Sequence, residues 1–215
     1  SMRDLIKPMG FSVLLAVLSV FYYLRKEPKF VLCLVALLHL VMFSWSYMVF
    51  TYAATTVNRP LFDDTLGVWD RLLGFHVPDV ITWSRSHPTL NLILNVSYNT
   101  LLIQTGVIVA VLGLTKEERQ LESFQLRLMI GALVAGALFL LFPAVGPFEA
   151  YGYEPDEGQV RYMEHFFQLR SGERLTVTDK QPEGLITFPS FHTAWALLLA
   201  LAFRHRPILF AFSAI

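Results

Sequence analysis

Residues 184–203 read GLITFPSFHTAWALLLALAF, an apolar run that contains no Asp, Glu, Lys or Arg. Four further blocks share this lack of charged residues, and they comprise residues 8–24, 30–58, 86–115 and 128–148. At about 1.5 Å per residue, helices of this length can cross a hydrocarbon core of roughly 30 Å, the first block only just. A single cleaved signal peptide does not account for five blocks, so the pattern predicts a polytopic helical membrane protein.

The composition supports this class. Apolar residues make up 54% of the 215 residues and charged residues 16%, and the mean hydropathy of +0.50 is high for a water-soluble globule. A soluble helical core would need amphipathic helices rather than fully apolar ones. The formal net charge is zero, which argues against nucleic acid as a partner, and the single cysteine, Cys33, excludes an internal disulfide and a cysteine-based metal site.

The last nine residues, PILFAFSAI (207–215), begin another apolar run but are too few to span a bilayer. We therefore expect the natural chain to continue. The predicted fold is an all-α transmembrane bundle of about six spans, the last one truncated, with an interfacial amphipathic helix. Residues 1–215 are expected to form a single integral membrane domain.

Charge placement predicts the orientation. Three short, mostly basic turns lie at alternate ends of successive spans: LRKEPK (24–29), TKEERQ (115–120) and RHR (204–206). The positive-inside rule assigns all three to the cytoplasm. The intervening segments, about 59–85 and 143–183, then lie on the opposite side, and we expect a bacterial inner-membrane protein with these segments facing the periplasm.

The two outer segments have different patterns. In NRPLFDDTLGVWDRLLGFHVPDVITW (58–83), Pro60 suits a first helical position and Gly74 suits an end, which predicts a helix lying on the membrane. That helix either anchors the chain at the interface or lines a site. Segment 143–183 is about forty residues long, too long for a simple connection. It is either a solvated charged loop or a lid that selects a head group.

Polar residues crowd the start of the opening run, where Pro189, Ser190, His192 and Thr193 fall within five positions. A helix that begins near Pro189 presents free N–H groups and the positive end of its dipole, which favour an anion such as phosphate. Ser190 adds a donor, and His192 can protonate a departing oxygen near neutral pH. The same residues also fit an ordinary cap, with Thr187 or Ser190 as N-cap and His192 as an interfacial aromatic residue.

The stretch FPSFHT (188–193) resembles the second signature of the type 2 phosphatidic acid phosphatase superfamily, usually written Pro-Ser-Gly-His. It is closer to the Phe-Pro-Ser-x-His form of the inositol phosphorylceramide synthase branch, to which the sphingomyelin synthases are related. RPLFDDTLGVWD (59–70) resembles the Pro-Leu-x-Asp segment of that branch, and LFPAVGPFEAYG (141–152) resembles its proline-rich segment. The resemblance covers about residues 30–203.

The resemblance implies a phosphohistidine mechanism. A histidine of a third signature attacks phosphorus, and His192 protonates the leaving alcohol as a catalytic residue. No cofactor or metal is required, because protein cations and N–H groups neutralise the developing charge. Donors around the signatures hold the substrate, and this assigns substrate-binding roles to Ser190, Pro189, Phe191, Gly146, Arg59 and Asp63.

We therefore predict a membrane lipid phosphatase or a phospholipid head-group phosphotransferase, similar to an inositolphosphotransferase, that acts on a phospholipid or lipid phosphate at the outer membrane face. The third signature, with its nucleophilic histidine, is expected beyond residue 215, so residues 1–215 alone are expected not to form the phosphoenzyme. The alternative is a non-catalytic membrane protein of the same fold that binds or moves a lipid. Phe191, in place of the glycine of the phosphatase signature, motivates this alternative.

Overall fold

The computed structural model describes residues 2–153, 157–173, 184–204 and 210. This part of the chain is helical and contains no strand. Its helices are α1 (Met2–Leu24), α2 (Pro28–Thr56), α3 (Asp63–Leu72), α4 (Val77–Arg85), α5 (Pro88–Leu114), α6 (Glu118–Leu141), α7 (Pro147–Tyr151), α8 (Glu157–Ser171) and α9 (Phe191–Ala202).

Three helices, α2, α5 and α6, are long and apolar enough to cross a membrane, and the apolar parts of α1 and α9 are shorter. The all-α class and the integral membrane character are confirmed at this level. The count of six spans and the single domain stay predictions. The apolar run 207–215, expected to begin the last span, lies outside the described residues except for Phe210.

Helix α9 is shorter than the apolar run that contains it. It begins at Phe191, with Ser190 as its N-cap, and residues 184–190 are non-helical. Pro189 explains the late start, because proline disfavours the α conformation in the residue before it and has no N–H to donate. The 12 residues of α9 rise only about 18 Å, so this helix alone does not cross a full hydrocarbon core.

The basic turns lie at one end of the bundle. Lys26, in the turn between α1 and α2, and Lys116, between α5 and α6, line one cavity. Arg204, after α9, and Arg119, at the start of α6, line another. This clustering agrees with the predicted alternation of the spans, whereas the membrane side that each end faces stays a prediction.

Segment 58–83 contains two helices rather than the single helix predicted between Pro60 and Gly74. Pro60 lies before the first helix, which begins at Asp63. Gly74 adopts a left-handed φ of 79° just after α3, as expected for a helix-ending glycine, and α4 starts at Val77 ahead of Pro78. The break turns the chain back towards α5.

The segment after α6 is not a solvated loop where the structure describes it. Helix α8 carries Tyr162, Phe166 and Leu169 on one stripe, and all three are buried with Phe139 of α6 and Tyr52 of α2. This spacing of apolar residues is that of an amphipathic helix, which explains why the segment folds against the bundle. Residues 154–156 and 174–183, including part of the predicted lid, lie outside the described residues.

Glycines let α2 approach its neighbours closely at two levels. A Cβ at Gly113 of α5 would overlap Cys33 Sγ, and a Cβ at Gly136 of α6 would lie 2.5 Å from the Phe50 ring. Both glycines therefore serve helix packing, as small residues commonly do in membrane bundles. Between these two levels α5 lies away from α2 at Gly106, where an added Cβ would meet nothing within 4 Å.

Candidate active site

Ser190 caps helix α9. Its Oγ accepts hydrogen bonds from the main-chain N–H of Thr193 at 3.3 Å and from Thr193 Oγ1 at 3.1 Å. The N-cap role is thus observed. The N–H groups of Phe191 and His192 have no acceptor within their own helix, because they belong to its first turn. The end of α9 therefore offers two donors and a positive dipole end to an anion.

The imidazole of His192 packs on the ring of Tyr98 in α5. The ring centroids are 4.4 Å apart and the planes differ by 24°. The Tyr98 hydroxyl lies 3.4 Å from His192 Nδ1, and Trp195 lies on the next turn of α9, 6.1 Å from the imidazole centroid. These rings limit the rotation of the imidazole. With Nδ1 next to the Tyr98 hydroxyl, Nε2 is the nitrogen available to a ligand.

His192 lies between two cavities. A groove of about 490 Å³ between α5 and α9 is lined by Tyr98, Ser190 and Thr193 on its polar side. A cavity of about 620 Å³ extends between α2, α5, α6 and α9, and we call it the bundle cavity; its wall includes Leu37, Tyr47, Thr51, Gly106 and Leu128. A molecule with a charged head and an apolar body could therefore contact His192 from within the bundle.

Asp63 holds the proline-rich segment. Its carboxylate accepts hydrogen bonds from the main-chain N–H of Val145 at 3.0 and 3.1 Å and from that of Gly146 at 2.8 Å. The side chain is only 6% exposed. Gly146 has a φ of 136°, and a Cβ at this position would lie 2.9 Å from the Phe148 ring. The backbone conformation that presents both N–H groups to Asp63 therefore requires glycine.

The proline-rich segment in turn holds residues 184–190, which we call the entrance segment. Thr187 Oγ1 donates to the Ala144 carbonyl at 2.6 Å, and the Tyr162 hydroxyl donates to the Leu185 carbonyl at 3.3 Å. Burial raises the pKa of Tyr162, so its hydroxyl keeps the proton that it donates. A chain of hydrogen bonds thus connects Asp63 to the residues directly before Ser190 and His192.

Two arginines lie beside this chain of hydrogen bonds. Arg59 is exposed, and its carbonyl accepts a hydrogen bond from Arg170 Nη2 of α8. Burial lowers the pKa of Arg170, while the negative charge of Asp63 opposes this effect. The guanidinium also lies 5.3 Å from the centroid of the Phe166 ring. The charge of Asp63 therefore favours the protonated guanidinium of Arg170, while the carboxylate oxygens themselves accept the main-chain N–H groups of Val145 and Gly146.

The predicted site residues form two groups. His192 and Ser190 lie together at the start of α9, and Pro189 precedes them after a cis peptide bond with Phe188. The Phe191 ring points into the bundle, 5.8 Å from Trp195 between centroids, so only its backbone faces an anion. Asp63 and Gly146 line a separate cavity of about 220 Å³ with Thr187 and Phe188. The substrate-binding roles of all six residues stay predictions.

Sequence reasoning missed Tyr98, Arg170 and Tyr162. Tyr98 lies in NVSYNT (95–100), a polar run inside a membrane span, and such runs are rare enough to have indicated a site. Arg170 and Tyr162 belong to the segment that was predicted to be a loop or a lid. Among the described residues, no group of three or more His, Cys, Asp or Glu is placed to hold a metal ion.

A comparison with known families identifies the family of this chain. A family model described as the PAP2 superfamily matches residues 64–215. The chain belongs to the PAP2 superfamily. The match runs from the first turn of α3 through α9, so it includes the proline-rich segment, the entrance segment and His192. It does not single out the branch of the inositol phosphorylceramide synthases. No curated protein and no solved structure matches the chain.

Membership of the PAP2 superfamily indicates a phosphatase-type function on lipid phosphates in a membrane. The apolar spans and the cavity beside His192 are consistent with a substrate of this kind.

Proposed function

We propose that this PAP2 superfamily protein removes or transfers the phosphoryl group of a membrane lipid, with His192 as the general acid. One observation carries the proposal: the imidazole of His192 lies at the capped N-terminus of α9, where helix donors for a phosphate and a proton donor for its leaving group occur together. The chemistry is placed at the end of the bundle opposite the basic turns.

In the first step, a nucleophilic histidine forms a P–N bond while the P–O bond to the lipid alcohol breaks. His192 Nε2 gives its proton to the departing oxygen, so the alcohol leaves neutral. The N–H groups of Phe191 and His192 stabilise the negative charge on the phosphoryl oxygens. The identity of the nucleophilic histidine stays a prediction.

In the second step, water or an alcohol attacks the phosphorus and the P–N bond breaks. His192, now neutral, takes the proton of the attacking hydroxyl and returns to its starting state. Hydrolysis and head-group transfer therefore use the same residues and differ only in the acceptor. The resemblance to the inositol phosphorylceramide synthase branch supports a second lipid alcohol as the acceptor in the transfer reaction.

The test compares His192→Ala with His87→Ala in the protein expressed from its complete gene. His87 is an exposed histidine at the start of α5, and its Nδ1 lies 2.7 Å from the Trp83 carbonyl oxygen. With phosphatidic acid in vesicles, we expect phosphate release to fall by about 10²–10⁴-fold in His192→Ala and to change little in His87→Ala. Equal activity of the two variants would exclude His192 from the reaction.

A lipid-binding protein without chemistry predicts a different result. Incubation of the wild-type protein with radiolabelled lipid phosphate should give an acid-labile, base-stable label, as expected for a phosphorus–nitrogen bond. Addition of a lipid alcohol during turnover should divert the label from inorganic phosphate to a new ester if the protein is a transferase. Lipid binding without any covalent label would support the non-catalytic alternative.

A further inference from the structure

The bundle cavity is chemically apolar, although hydroxyl groups occur in its wall. Tyr47 donates to the Ala132 carbonyl at 2.6 Å and Thr51 to the Met48 carbonyl at 2.8 Å. Thr105 donates to the Leu101 carbonyl and accepts from Trp195 Nε1, both at 2.9 Å. Since these donors are already used, the wall offers few hydrogen bonds to a polar ligand. Its polar side chains besides these four are Ser44, Trp45 and His192.

Gly106 lies at the level where α5 separates from α2. It lies seven residues before Gly113, so the two glycines share one face of α5. A Cβ at Gly113 would overlap Cys33, whereas a Cβ at Gly106 meets nothing within 4 Å. Glycine within a helix is unfavourable compared with alanine. Helix packing explains the glycine at position 113. At position 106 no packed neighbour among the described residues requires a glycine, and its effect is to leave open space in the cavity.

The depth of the cavity matches a lipid tail. Its wall on α2 runs from Thr51 to Leu37. The helix rises about 21 Å between Leu37 and Thr51, which exceeds the roughly 15 Å that one leaflet contributes to the hydrocarbon core. The volume of about 620 Å³ lies within the range of small-molecule sites. Phe11 and Leu102 at its rim are 50% and 72% exposed, so the cavity opens sideways between α1 and α5.

We propose that the bundle cavity binds one acyl chain of the lipid whose phosphate reaches His192, and that Gly106 sets the length of chain that fits. This inference rests on the proposed function for the identity of the lipid. The chain enters sideways from the membrane, past Phe11 and Leu102. It then extends along α2 towards Leu37, while the head group stays beside the entrance segment and His192. Tail binding in the cavity fixes the position of the phosphate relative to the acid.

The test fills the cavity without disturbing a packed contact. Gly106→Phe places a ring in open space, and Ile103→Phe is the matched control, because Ile103 lies on the same helix, is 63% exposed and does not line the cavity. Activity is measured with dioctanoyl and dipalmitoyl phosphatidic acid. We expect Gly106→Phe to lower kcat/KM for the dipalmitoyl lipid about tenfold more than for the dioctanoyl lipid. An unchanged ratio would overturn the proposal, and Ile103→Phe should leave the ratio unchanged.

A second measurement does not depend on turnover, and its result for the wild type does not depend on the stability of any variant. Phosphatidic acid with a photoactivatable diazirine at the end of one palmitoyl chain is incorporated into vesicles with the protein, and the labelled residues are mapped by mass spectrometry. We expect labels at Leu37, Leu40 and Leu128 in the wild type and in Ile103→Phe, and their loss in Gly106→Phe. Labels confined to exposed positions such as Ile103 would overturn the proposal. If the wild-type protein were labelled inside the cavity but turned over no lipid, the proposed function would be rejected while the acyl-chain site would be retained.

Discussion

The Asp63 carboxylate accepts a hydrogen bond from the main-chain N–H of Gly146 at 2.8 Å, and this bond joins two segments that are 83 residues apart in the sequence. It fixes the turn after α6, whose Ala144 carbonyl then accepts the hydrogen bond of Thr187. Asp63 therefore acts on the entrance segment from a distance, and it does so with a carboxylate whose oxygens are already occupied. We interpret Asp63 as a positioning residue.

Replacement of Asp63 should destabilise the protein. Asp63→Ala leaves the N–H groups of Val145 and Gly146 buried without an acceptor, which should cost about 2 kcal/mol or more of unfolding free energy, and Asp63→Asn, with one remaining acceptor oxygen, should cost less. The control is Asp64→Asn, because Asp64 is exposed on the same first turn of α3. Thermal unfolding in detergent measures the differences. Equal stability of Asp63→Ala and Asp64→Asn would contradict the buried hydrogen bonds.

Gly146→Ala should distort the proline-rich segment. The φ of 136° and the nearby Phe148 ring both oppose a Cβ at this position, whereas Gly152, with a φ of 64°, has open space around it. We expect Gly146→Ala to lower the unfolding free energy by at least about 2 kcal/mol, and Gly152→Ala by about 1 kcal/mol. The same thermal unfolding measurement compares the two. A smaller loss in Gly146→Ala than in Gly152→Ala would argue against the described turn.

Thr187→Val should loosen the entrance segment. The substitution keeps the shape of the side chain but removes its hydrogen bond to the Ala144 carbonyl, a loss of about 1 kcal/mol. Thr187→Ser keeps the hydroxyl and serves as the control. We expect Thr187→Val to lower kcat for phosphatidic acid more than it raises KM, because Ser190 and His192 lose their fixed position. A change in KM alone would indicate that Thr187 contacts the lipid directly.

The Tyr98 ring should matter more than its hydroxyl. At 3.4 Å from Nδ1 the hydroxyl makes at most a weak hydrogen bond, whereas the stacked ring holds the imidazole. Tyr98→Phe keeps the ring and should retain most of kcat. Tyr98→Leu loses a ring contact of about 0.5–1.5 kcal/mol, so kcat should fall by roughly two- to tenfold. The reverse order of the two variants in steady-state assays would assign the function to the hydroxyl.

The spans could be predicted from the sequence because the absence of charge is a local signal. The ends of the charge-free blocks 30–58 and 86–115 lie within two residues of the ends of α2 (Pro28–Thr56) and α5 (Pro88–Leu114). Helix α6 begins at Glu118, ten residues before its charge-free block, since its first turns lie among the basic turns at the end of the bundle. A membrane-spanning helix can carry charged residues at its end, beyond the hydrocarbon core. The limits of a charge-free block therefore leave out such charged end turns of a helix.

The site could be predicted only in part. The pattern around His192 is contiguous, so the cap and the start of α9 were visible in six letters. The hydrogen bonds of Asp63 and the stacking of Tyr98 on His192 connect residues more than 80 positions apart, and no local pattern contains such pairs. Helix α8 was missed because its charged residues hid an apolar stripe.

The most direct test of His192 as the general acid asks how the loss of rate in His192→Ala depends on the leaving group of the substrate. A lipid alcohol needs a proton as it departs, whereas nitrophenolate does not. In the protein expressed from its complete gene, His192→Ala should lose about 10²–10⁴-fold in single-turnover rate with phosphatidic acid, and far less with nitrophenyl phosphate. An equal loss with both substrates would contradict His192 as the general acid. Full activity with phosphatidic acid would remove His192 from the site.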